Sequence, residues 1–283
     1  MALVTTKKML TDAQAGGYAV GAFNVENMEM VQAVIAAAEK LQSPVIMQTT
    51  PGTLKYADPD YFFANVKVAA QKASVPVAIH LDHGDSFERA MQAFRAGYTS
   101  IMIDGSKLNF EDNIALSKKV AEACHAAGIP VEAELGKVGG KEDDLVVEGD
   151  SPYTDPAEAV DFVKQTGVDF LAVGIGTAHG FYKGEPNVNL DVLKQIRDVV
   201  SIPLVMHGTS GVPDETVAKA VKLGICKVNY ATELRAAFTE GVKEVIGKDP
   251  GVYDPKKYNK VGREKVTALV ELRMKNLGSV GKA

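Results

Sequence analysis

Short apolar runs alternate with amphipathic segments along the whole chain, and this alternation is the main pattern in the sequence. The clearest run is VPVAIHLDH at residues 75–83, which is apolar and β-branched until it turns polar at its end. Side chains alternate between the two faces of a strand, so His80 and Asp82 share one face and His83 stands at the exit. A buried strand therefore delivers an imidazole and a carboxylate to one edge of a sheet.

Eight such runs are present, and each precedes a helical segment. Strands are predicted at residues 18–25, 45–50, 75–83, 100–104, 130–135, 169–176, 203–208 and 225–231. Helices are predicted at about residues 27–40, 60–72, 86–96, 112–127, 156–166, 190–200 and 213–223 and after Thr232. Even units without a linker predict one domain over residues 1–283, an α/β fold of the (β/α)8 TIM-barrel type. A doubly wound sheet is the alternative, but it seldom carries eight such units.

Two segments depart from the alternation. Residues 136–155 form a long loop, rich in glycine and acid, that is too polar for a core element and longer than a usual connection. This loop is predicted to be a lid. The tail, at about residues 258–283, adds a C-terminal helix, and its last residues, GSVGKA, are expected to be held loosely.

Composition and charge narrow the class of protein. The chain has 283 residues, of which 46% are hydrophobic, so it can bury a large core. A net charge of −5 without a long Lys/Arg run argues against nucleic acid or a membrane as a partner. No stretch has the apolar length of a signal peptide or a membrane span. Cys124 and Cys226 share no metal-type spacing, and a cytoplasmic location fits them best.

Chemically active side chains gather where the predicted strands end, as a barrel active site requires. The ends carry Asn24, Thr50, Asp82, His83, Asp104, Glu134, His207 and Asn229, and His179 follows the sixth strand by three residues. Three imidazoles that face one point leave an open fourth position, the arrangement of catalytic zinc. We select His83, His179 and His207 as these ligands. His80 lies one layer deeper, where a supporting or core role is expected.

Carboxylates complete this predicted rim. Asp82 stands next to a predicted ligand, where it either exchanges a proton with an oxygen that the metal polarises or supports the ligand. Asp104 and Glu134 either hold a second cation or orient the histidines. Glu132 shares the face of Glu134 and is compatible with a structural role. In the loop, Glu142 is either solvated or a mobile acid that closes on the substrate and moves a proton.

The last three strands favour a phosphate ligand. Ser210 and Thr232 stand at helix starts, where positive dipole ends collect, and Lys183 can add a charge. Backbone amides can approach an anion closely at Gly176, Gly180, Gly208 and Gly211. The alternative is that these glycines only turn the chain. Their position after the last three strands favours the ligand.

Seven segments together carry a family resemblance: YAVGAFNV, AIHLDHGDS, SIMIDGS, VEAELGKVGGKEDD, AVGIGTAHGFYKGEPN, PLVMHGTSG and KVNYATEL. Over essentially the whole chain they resemble the class II, metal-dependent ketose-bisphosphate aldolases. TPGT, IGTAHG and NYATEL look most like tagatose-1,6-bisphosphate aldolases, whereas LDHGDS and GSVGKA look more like the fructose branch. The resemblance implies zinc-dependent, reversible cleavage of one of these sugars to dihydroxyacetone phosphate and glyceraldehyde 3-phosphate. Which sugar is used stays open.

The resemblance also implies roles for individual positions. His83, His179 and His207 match zinc ligands, and Asp104 and Glu134 match a site for an alternate or second cation, divalent or monovalent. Asp82 matches the residue that protonates the aldehyde oxygen, and Glu142 matches the lid acid that moves the C3 proton. The positions that match substrate contacts are Thr50 near the aldehyde phosphate, Asn229 at the enediolate, and Gly180, Lys183, Gly208, Ser210, Ala231 and Thr232 around the ketone phosphate.

Some features depart from the family pattern or leave alternatives. Thr209 stands where a small residue is usual, Tyr230 stands where Val is common, and no arginine aligns for the distal phosphate. An aldolase that forms an imine on Lys227 is one alternative, although a lysine paired with a buried carboxylate is favoured at that position. A metal-dependent barrel hydrolase and a non-catalytic companion subunit are two others. The resemblance suggests a homodimer or homotetramer.

Overall fold

The computed structural model describes residues 3–142, 145–147, 153–182 and 184–283, without the side chains of residues 141, 142 and 145–147. Its strands are β1 (Val20–Asn24), β2 (Val45–Thr49), β3 (Val77–Gly84), β4 (Ser100–Ile103), β5 (Val131–Leu135), β6 (Gly139–Glu142), β7 (Leu145–Val147), β8 (Phe170–Val173), β9 (Ala178–His179), β10 (Leu204–Met206) and β11 (Ile225–Tyr230). Eight of them close into a parallel barrel in the order β1, β2, β3, β4, β5, β8, β10, β11. The predicted (β/α)8 fold is confirmed.

Helices surround this barrel. They are α1 (Thr6–Gly16), α2 (Met28–Leu41), α3 (Pro51–Tyr56), α4 (Pro59–Lys72), α5 (Phe87–Ala96), α6 (Phe110–His125), α7 (Pro156–Thr166), α8 (Leu190–Val199), α9 (Asp214–Lys222), α10 (Thr232–Lys248) and α11 (Pro255–Asn276). Among the described helices, six begin at a side chain that accepts a hydrogen bond from the amide three residues on, namely Asn27, Thr50, Ser86, Asn109, Asp155 and Asn189. In the part of the chain that the structure describes, no helix combines the length and apolar character that crossing a bilayer needs.

Two helices were not predicted, and each has a local reason. The short α3 starts at Pro51, which the sequence pattern indicated as a stop, yet proline is well suited to the first helical position. The segment that forms α1 has few apolar residues, and its Met9 and Leu10 pack against Val20 and Ile46 of the barrel. Tertiary packing therefore decides α1, and a local pattern does not reveal it.

The predicted lid segment contains secondary structure that its polarity argued against. β6 pairs antiparallel with β7 and parallel with β9, which makes a small sheet of three strands beside the barrel. Main-chain pairing builds this sheet, so no apolar pattern marks it. Gly140 pairs with His179 at φ +88, and a Cβ at Gly140 would collide with the carbonyl oxygen of His179. The sheet therefore ties the lid segment to a predicted metal ligand.

The C-terminal helix is confirmed, but the expectation that the tail after it is loose is wrong. α11 starts at Pro255 and packs on α10 and α2. Beyond it, the Ser43 hydroxyl donates to the buried Ser279 hydroxyl at 2.8 Å, and the Gly281 amide donates to the carbonyl of Leu41 at 3.0 Å. Small residues suggested mobility because their composition carries no sign of these distant partners.

Candidate active site

β3 ends in a distortion that points His83 into the mouth of the barrel. The pairing of β3 with β4 shifts register between Leu81 and Gly84, and His83 has φ 48, a left-handed conformation that strains a non-glycine residue. Two hydrogen bonds hold it there: its amide donates to Met102 Sδ at 3.3 Å, and its Nδ1 lies 2.7 Å from Asp104 Oδ2. The next position needs a glycine, because a Cβ at Gly84 would stand 2.5 Å from the Met102 carbonyl oxygen.

Three imidazoles from different strands meet at this mouth. His179 ends β9 and His207 follows β10, and both are buried, as is His83. The ring centroid of His83 lies 4.9 Å from that of His179 and 4.7 Å from that of His207. One ring nitrogen from each residue lies within 4.8 Å of the others, close enough to bind one ion together. The structure therefore brings together the three histidines that the sequence selected.

Two glutamates of β5 hold His207 from opposite sides. His207 Nδ1 lies 2.8 Å from Glu134 Oε2, and Nε2 lies 3.0 Å from Glu132 Oε1. Burial lowers the pKa of His207, but the hydrogen bonds to both glutamates outweigh burial and raise the pKa above its usual value. Glu132 is itself held by Lys227, whose Nζ lies 2.9 Å from Oε2. Glu132 thus supports a candidate metal ligand, a more specific role than the structural one first considered.

His80 belongs to a second layer of polar side chains, deeper in the barrel than His207 and its glutamates, as expected from the sequence. Its Nδ1 lies 2.7 Å from the Ser100 hydroxyl, which accepts a hydrogen bond from Thr6 of α1 at 2.8 Å. Burial, with the charge of Lys227, lowers the pKa of His80 to about 3. This imidazole is therefore neutral and forms part of the support of the site.

Asp82 stands at the centre of the mouth, held by three amide side chains. Its Oδ2 accepts from Asn24 Nδ2 at 3.2 Å and Gln48 Nε2 at 3.1 Å, and its Oδ1 accepts from Asn229 Nδ2 at 2.9 Å. Burial raises the pKa of Asp82, but the charges of His83 and Lys227 outweigh burial and lower the pKa. The result is an ionised carboxylate whose oxygens lie in fixed positions.

Gln48 is a site residue that was not predicted from the sequence. The sequence does contain a sign of this role, because Gln48 is a polar residue just before the end of the second apolar run, VIMQTT. It bonds both Asn24, at 2.8 Å, and Asp82. This network of hydrogen bonds was not predicted because its members Asn24, Gln48, Asp82 and Asn229 lie on four different strands.

The residues of the site fit a divalent cation. His83 Nε2 is buried and has no hydrogen-bond partner among the described residues, while its Nδ1 is held by Asp104. Burial lowers the pKa of His179, and the charges of His83 and His207 lower it further, well below its usual value. A neutral imidazole is the form that binds metals. A second group of potential ligands consists of His83, Asp104 and Glu134.

Buried charge supports the same conclusion. Four carboxylates surround the described mouth, those of Asp82, Asp104, Glu132 and Glu134, and the buried ammonium of Lys227 pairs with Glu132. Burial raises the pKa of Asp104, but the hydrogen bond and charge of His83 outweigh burial and lower the pKa. Burial lowers the pKa values of His83 and His207, but neighbouring carboxylates outweigh burial and hold both pKa values above their usual value. A cation that replaces these two protons would balance the negative charge in their place, which is expensive to bury alone.

Beside the histidines lies a cleft that unites most of the predicted phosphate positions. His179 and Thr209 line it together with Gly180, Gly208, Ser210, Asn229, Ala231 and Thr232. Gly208 has φ +63, and a Cβ there would stand 2.7 Å from the backbone of Ala178. α10 begins at Thr232, so its first amides have no partner within the helix and favour an anion. The cleft therefore places an anion-favouring helix start beside the histidines.

Tyr182 fixes one wall of this cleft and was missed in the sequence. Its hydroxyl accepts a hydrogen bond from the Ala178 amide at 2.8 Å and donates one to the Gly208 carbonyl at 2.8 Å. It thereby joins the segment after β9 to the segment after β10. A tyrosine in a Gly-rich loop gives no local sign of such a bridge.

The remaining predicted residues divide into three cases. Thr50 follows β2, where it caps α3 and shares a hydrogen bond of 3.1 Å with the Thr53 hydroxyl. Lys227 is fully buried and paired with Glu132, as favoured at the sequence level. Lys183 and the side chain of Glu142 lie outside the described residues.

A closed parallel barrel with three converging histidines and a fixed carboxylate at its mouth defines a metal-dependent barrel enzyme. The family model of class II fructose-bisphosphate aldolases matches residues 4–282, and the chain belongs to this family. It is therefore an enzyme of the lyase class, in a family that depends on a metal.

Known proteins agree with this assignment. The chain is 47% identical to a fructose-bisphosphate aldolase of Geobacillus stearothermophilus over 286 residues, which span 100% of the chain and 99% of the relative. Among solved structures, the YdjI aldolase of Escherichia coli K12 is 40% identical, with a TM-score of 0.88 and 99% of each chain covered. The fructose-bisphosphate aldolase of Campylobacter jejuni, 24% identical, shares the fold with a TM-score of 0.84 over 100% of this chain and 97% of that one.

Proposed function

We propose that the enzyme catalyses the zinc-dependent, reversible aldol cleavage of fructose-1,6-bisphosphate to dihydroxyacetone phosphate and glyceraldehyde 3-phosphate. The observation that carries this proposal is the convergence of three imidazoles beside an ionised, immobilised Asp82. The full-length similarity to a fructose-bisphosphate aldolase supports the choice of reaction and of sugar.

His83, His179 and His207 are the proposed zinc ligands. Three imidazoles match the donor set of catalytic zinc, and the buried Nε2 of His83, which has no hydrogen-bond partner in the described part of the chain, supports the assignment. When bound, zinc supplies a Lewis acid that stabilises the negative charge developing on the ketone half as C3–C4 breaks. Asp104 and Glu134 orient the ligands and, with His83, provide a second cation site.

Asp82 is the proposed proton carrier at the C4 oxygen. In cleavage its carboxylate accepts the C4 hydroxyl proton while the C3–C4 bond breaks, and in condensation it returns that proton to the aldehyde oxygen. Its three amide partners fix the direction from which it approaches the substrate. Glu142 is proposed to transfer the C3 proton, which is supported by the pairing of its strand with His179.

The phosphate of the ketone half is proposed to bind in the cleft beside His179. Gly180, Gly208 and Ala231 line it, and Ser210 and Thr232 are proposed to donate hydrogen bonds. Lys183, which lies outside the described residues, is proposed from the family resemblance to add charge. Asn229 is proposed to contact the ketone half, since its buried Oδ1 has no partner among the described residues. Thr50 is proposed to lie near the aldehyde phosphate.

Tagatose-1,6-bisphosphate is the second candidate substrate, favoured by the TPGT and NYATEL segments. The two sugars differ in configuration at C4, the carbon whose oxygen Asp82 serves. Rates of cleavage of both sugars by zinc-replete protein decide between them. We expect a higher kcat/KM for fructose-1,6-bisphosphate, and a preference for the tagatose sugar would reverse the choice.

The same assay tests the alternative reactions. Chelator treatment should abolish cleavage and zinc should restore it. Borohydride with substrate should trap no adduct on the protein, because no imine is required; a trapped adduct on Lys227 would support the imine mechanism instead. Release of inorganic phosphate without triose phosphates would indicate a hydrolase, and no turnover of any kind would indicate a companion subunit.

A homodimer or homotetramer and a cytoplasmic location remain part of this proposal. Light scattering on the purified protein tests the assembly. A protein that gains activity only when a second, different chain is added would contradict self-sufficient catalysis.

A further inference from the structure

The C-terminal helix reaches back to the phosphate cleft through one residue. Arg273, near the end of α11, makes a paired contact with Glu233, with Nε at 2.6 Å from Oε1 and Nη2 at 2.6 Å from Oε2. Its Nη1 bonds Asp214, the first residue of α9. The side chain of Arg273 is only 14% exposed and that of Glu233 10%, so this is a well-buried fork.

Glu233 connects this fork to the cleft. It follows Thr232 in the first turn of α10, and its amide donates to the Ser210 hydroxyl at 3.4 Å. Because that hydroxyl already accepts a hydrogen bond, its own hydrogen is left to donate into the cleft. The position of the first turn of α10 therefore sets the direction of the Ser210 hydroxyl.

Arg273 also balances charge. Glu233 directly follows Thr232, which lines the cleft, so its negative charge would oppose a phosphate group there, and Asp214 adds a second carboxylate at the same guanidinium. The guanidinium binds both carboxylates at once and lies over the Tyr230 ring, 5.4 Å from its centroid. Tyr230 in turn stacks on Phe23 with 5.7 Å between ring centroids, which gives the guanidinium a rigid base.

We propose that Arg273 is a positioning residue for phosphate recognition, which aligns the starts of α9 and α10 with the cleft and cancels their negative charge. This inference rests on the proposed function, since it takes the cleft as the site of the substrate phosphate. It also gives the helix beyond the eighth β/α unit a specific role, because α11 supplies a side chain that joins both helix starts.

The test compares Arg273→Gln and Arg273→Lys with Glu271→Gln. Glu271 lies on the same helix and anchors it to α2 through Lys40 at 2.8 Å, without contact to Glu233 or Asp214. Binding of dihydroxyacetone phosphate is measured by calorimetry on zinc-replete protein, and KM and kcat are measured for sugar cleavage. Thermal unfolding of each variant reports on folding.

Arg273→Gln should raise both the Kd for dihydroxyacetone phosphate and the KM on the order of tenfold, as loss of a hydrogen bond to a charged group implies, with a much smaller change in kcat. Arg273→Lys should recover part of the loss, because it keeps the charge without the fork. Glu271→Gln should match the wild type. If Arg273→Gln does not fold, Arg273→Lys decides by the same readout.

Unchanged binding in a folded Arg273 variant would overturn the inference, as would equal losses in Glu271→Gln or a wild type that binds no dihydroxyacetone phosphate. Failure of the proposed reaction has a different signature. A wild type that binds dihydroxyacetone phosphate more tightly than the Arg273 variants do, but cleaves no sugar, would retain this inference and refute the aldolase reaction.

Discussion

Lys227 has either a structural role, as an ammonium paired with Glu132, or a catalytic role, as an amine that forms an imine. Its replacement by methionine distinguishes the two roles. Lys227 and Glu132 are both fully buried, and Nζ lies 2.9 and 3.1 Å from the two carboxylate oxygens. Lys227→Met leaves the Glu132 carboxylate without its cation. Breaking a buried ion pair on one side costs about 3–5 kcal/mol, which corresponds to a fall in Tm on the order of 10 °C.

The double variant Lys227→Met/Glu132→Gln is the matched control. It removes both charges at once and keeps an acceptor oxygen for His207 Nε2, so most of the stability should return. Zinc affinity should fall about 10–100-fold, because a partner that holds a metal ligand has changed. Sugar cleavage should recover at saturating zinc, since Lys227 has no covalent role in this account.

Thermal unfolding, a zinc competition titration and the cleavage assay together test this prediction. Charges from Lys227 and the hydrogen bond from His207 lower the pKa of Glu132 against the effect of burial, so its contribution to stability is present above the ordinary glutamate pKa. In Lys227→Met the effect of burial on Glu132 is no longer offset by the ammonium, so this carboxylate takes up a proton more readily in the folded variant, and the deficit should shrink as pH falls toward about 4. An unchanged Tm, or a zinc-saturated double variant without activity, would refute the reasoning.

Three further changes test other parts of the account. Asp82→Asn should lower kcat about 10²–10⁴-fold while zinc content measured by mass spectrometry stays at the wild-type level; an active variant would remove Asp82 from the chemistry. Gly208→Ala should raise KM and lower Tm, because a Cβ meets the Ala178 backbone at 2.7 Å and φ is +63; wild-type values would contradict the close approach. Asp169→Asn should destabilise the fold at neutral pH and progressively less in acid. The reason is that hydrogen bonds from Val131, Lys7 and His125 outweigh burial and lower the pKa of Asp169, so its stabilising effect is lost as pH falls. A deficit in Tm that does not change with pH would contradict this.

The barrel and its histidines could be predicted because each depends on a local pattern. Strand alternation placed Asp82 and His83 at one exit, and the barrel rule brought distant strand ends to one mouth. The same alternation placed Lys227 inside the barrel, where the structure has it paired with Glu132.

Features that depend on distant partners could not be predicted. The bulge that gives His83 a positive φ arises from a register shift between β3 and β4, and the strand β9 that carries His179 forms only against β6. Arg273 reaches Glu233 from 40 residues away, across two helices. In each case the residue type is visible in the sequence, but the residue it contacts is determined by the tertiary structure.

The most direct test of the central claim is a zinc titration of metal-stripped protein, with bound metal and sugar cleavage measured on the same samples. We expect no cleavage without metal and a linear rise in activity to about one zinc per chain, the stoichiometry of a single catalytic site. Substitution of His83, His179 or His207 by alanine should abolish both signals, whereas His125→Ala, at a histidine paired with Asp169 away from the mouth, should retain both. Cleavage that persists in the metal-stripped protein, or in a variant lacking all three imidazoles, would contradict the account.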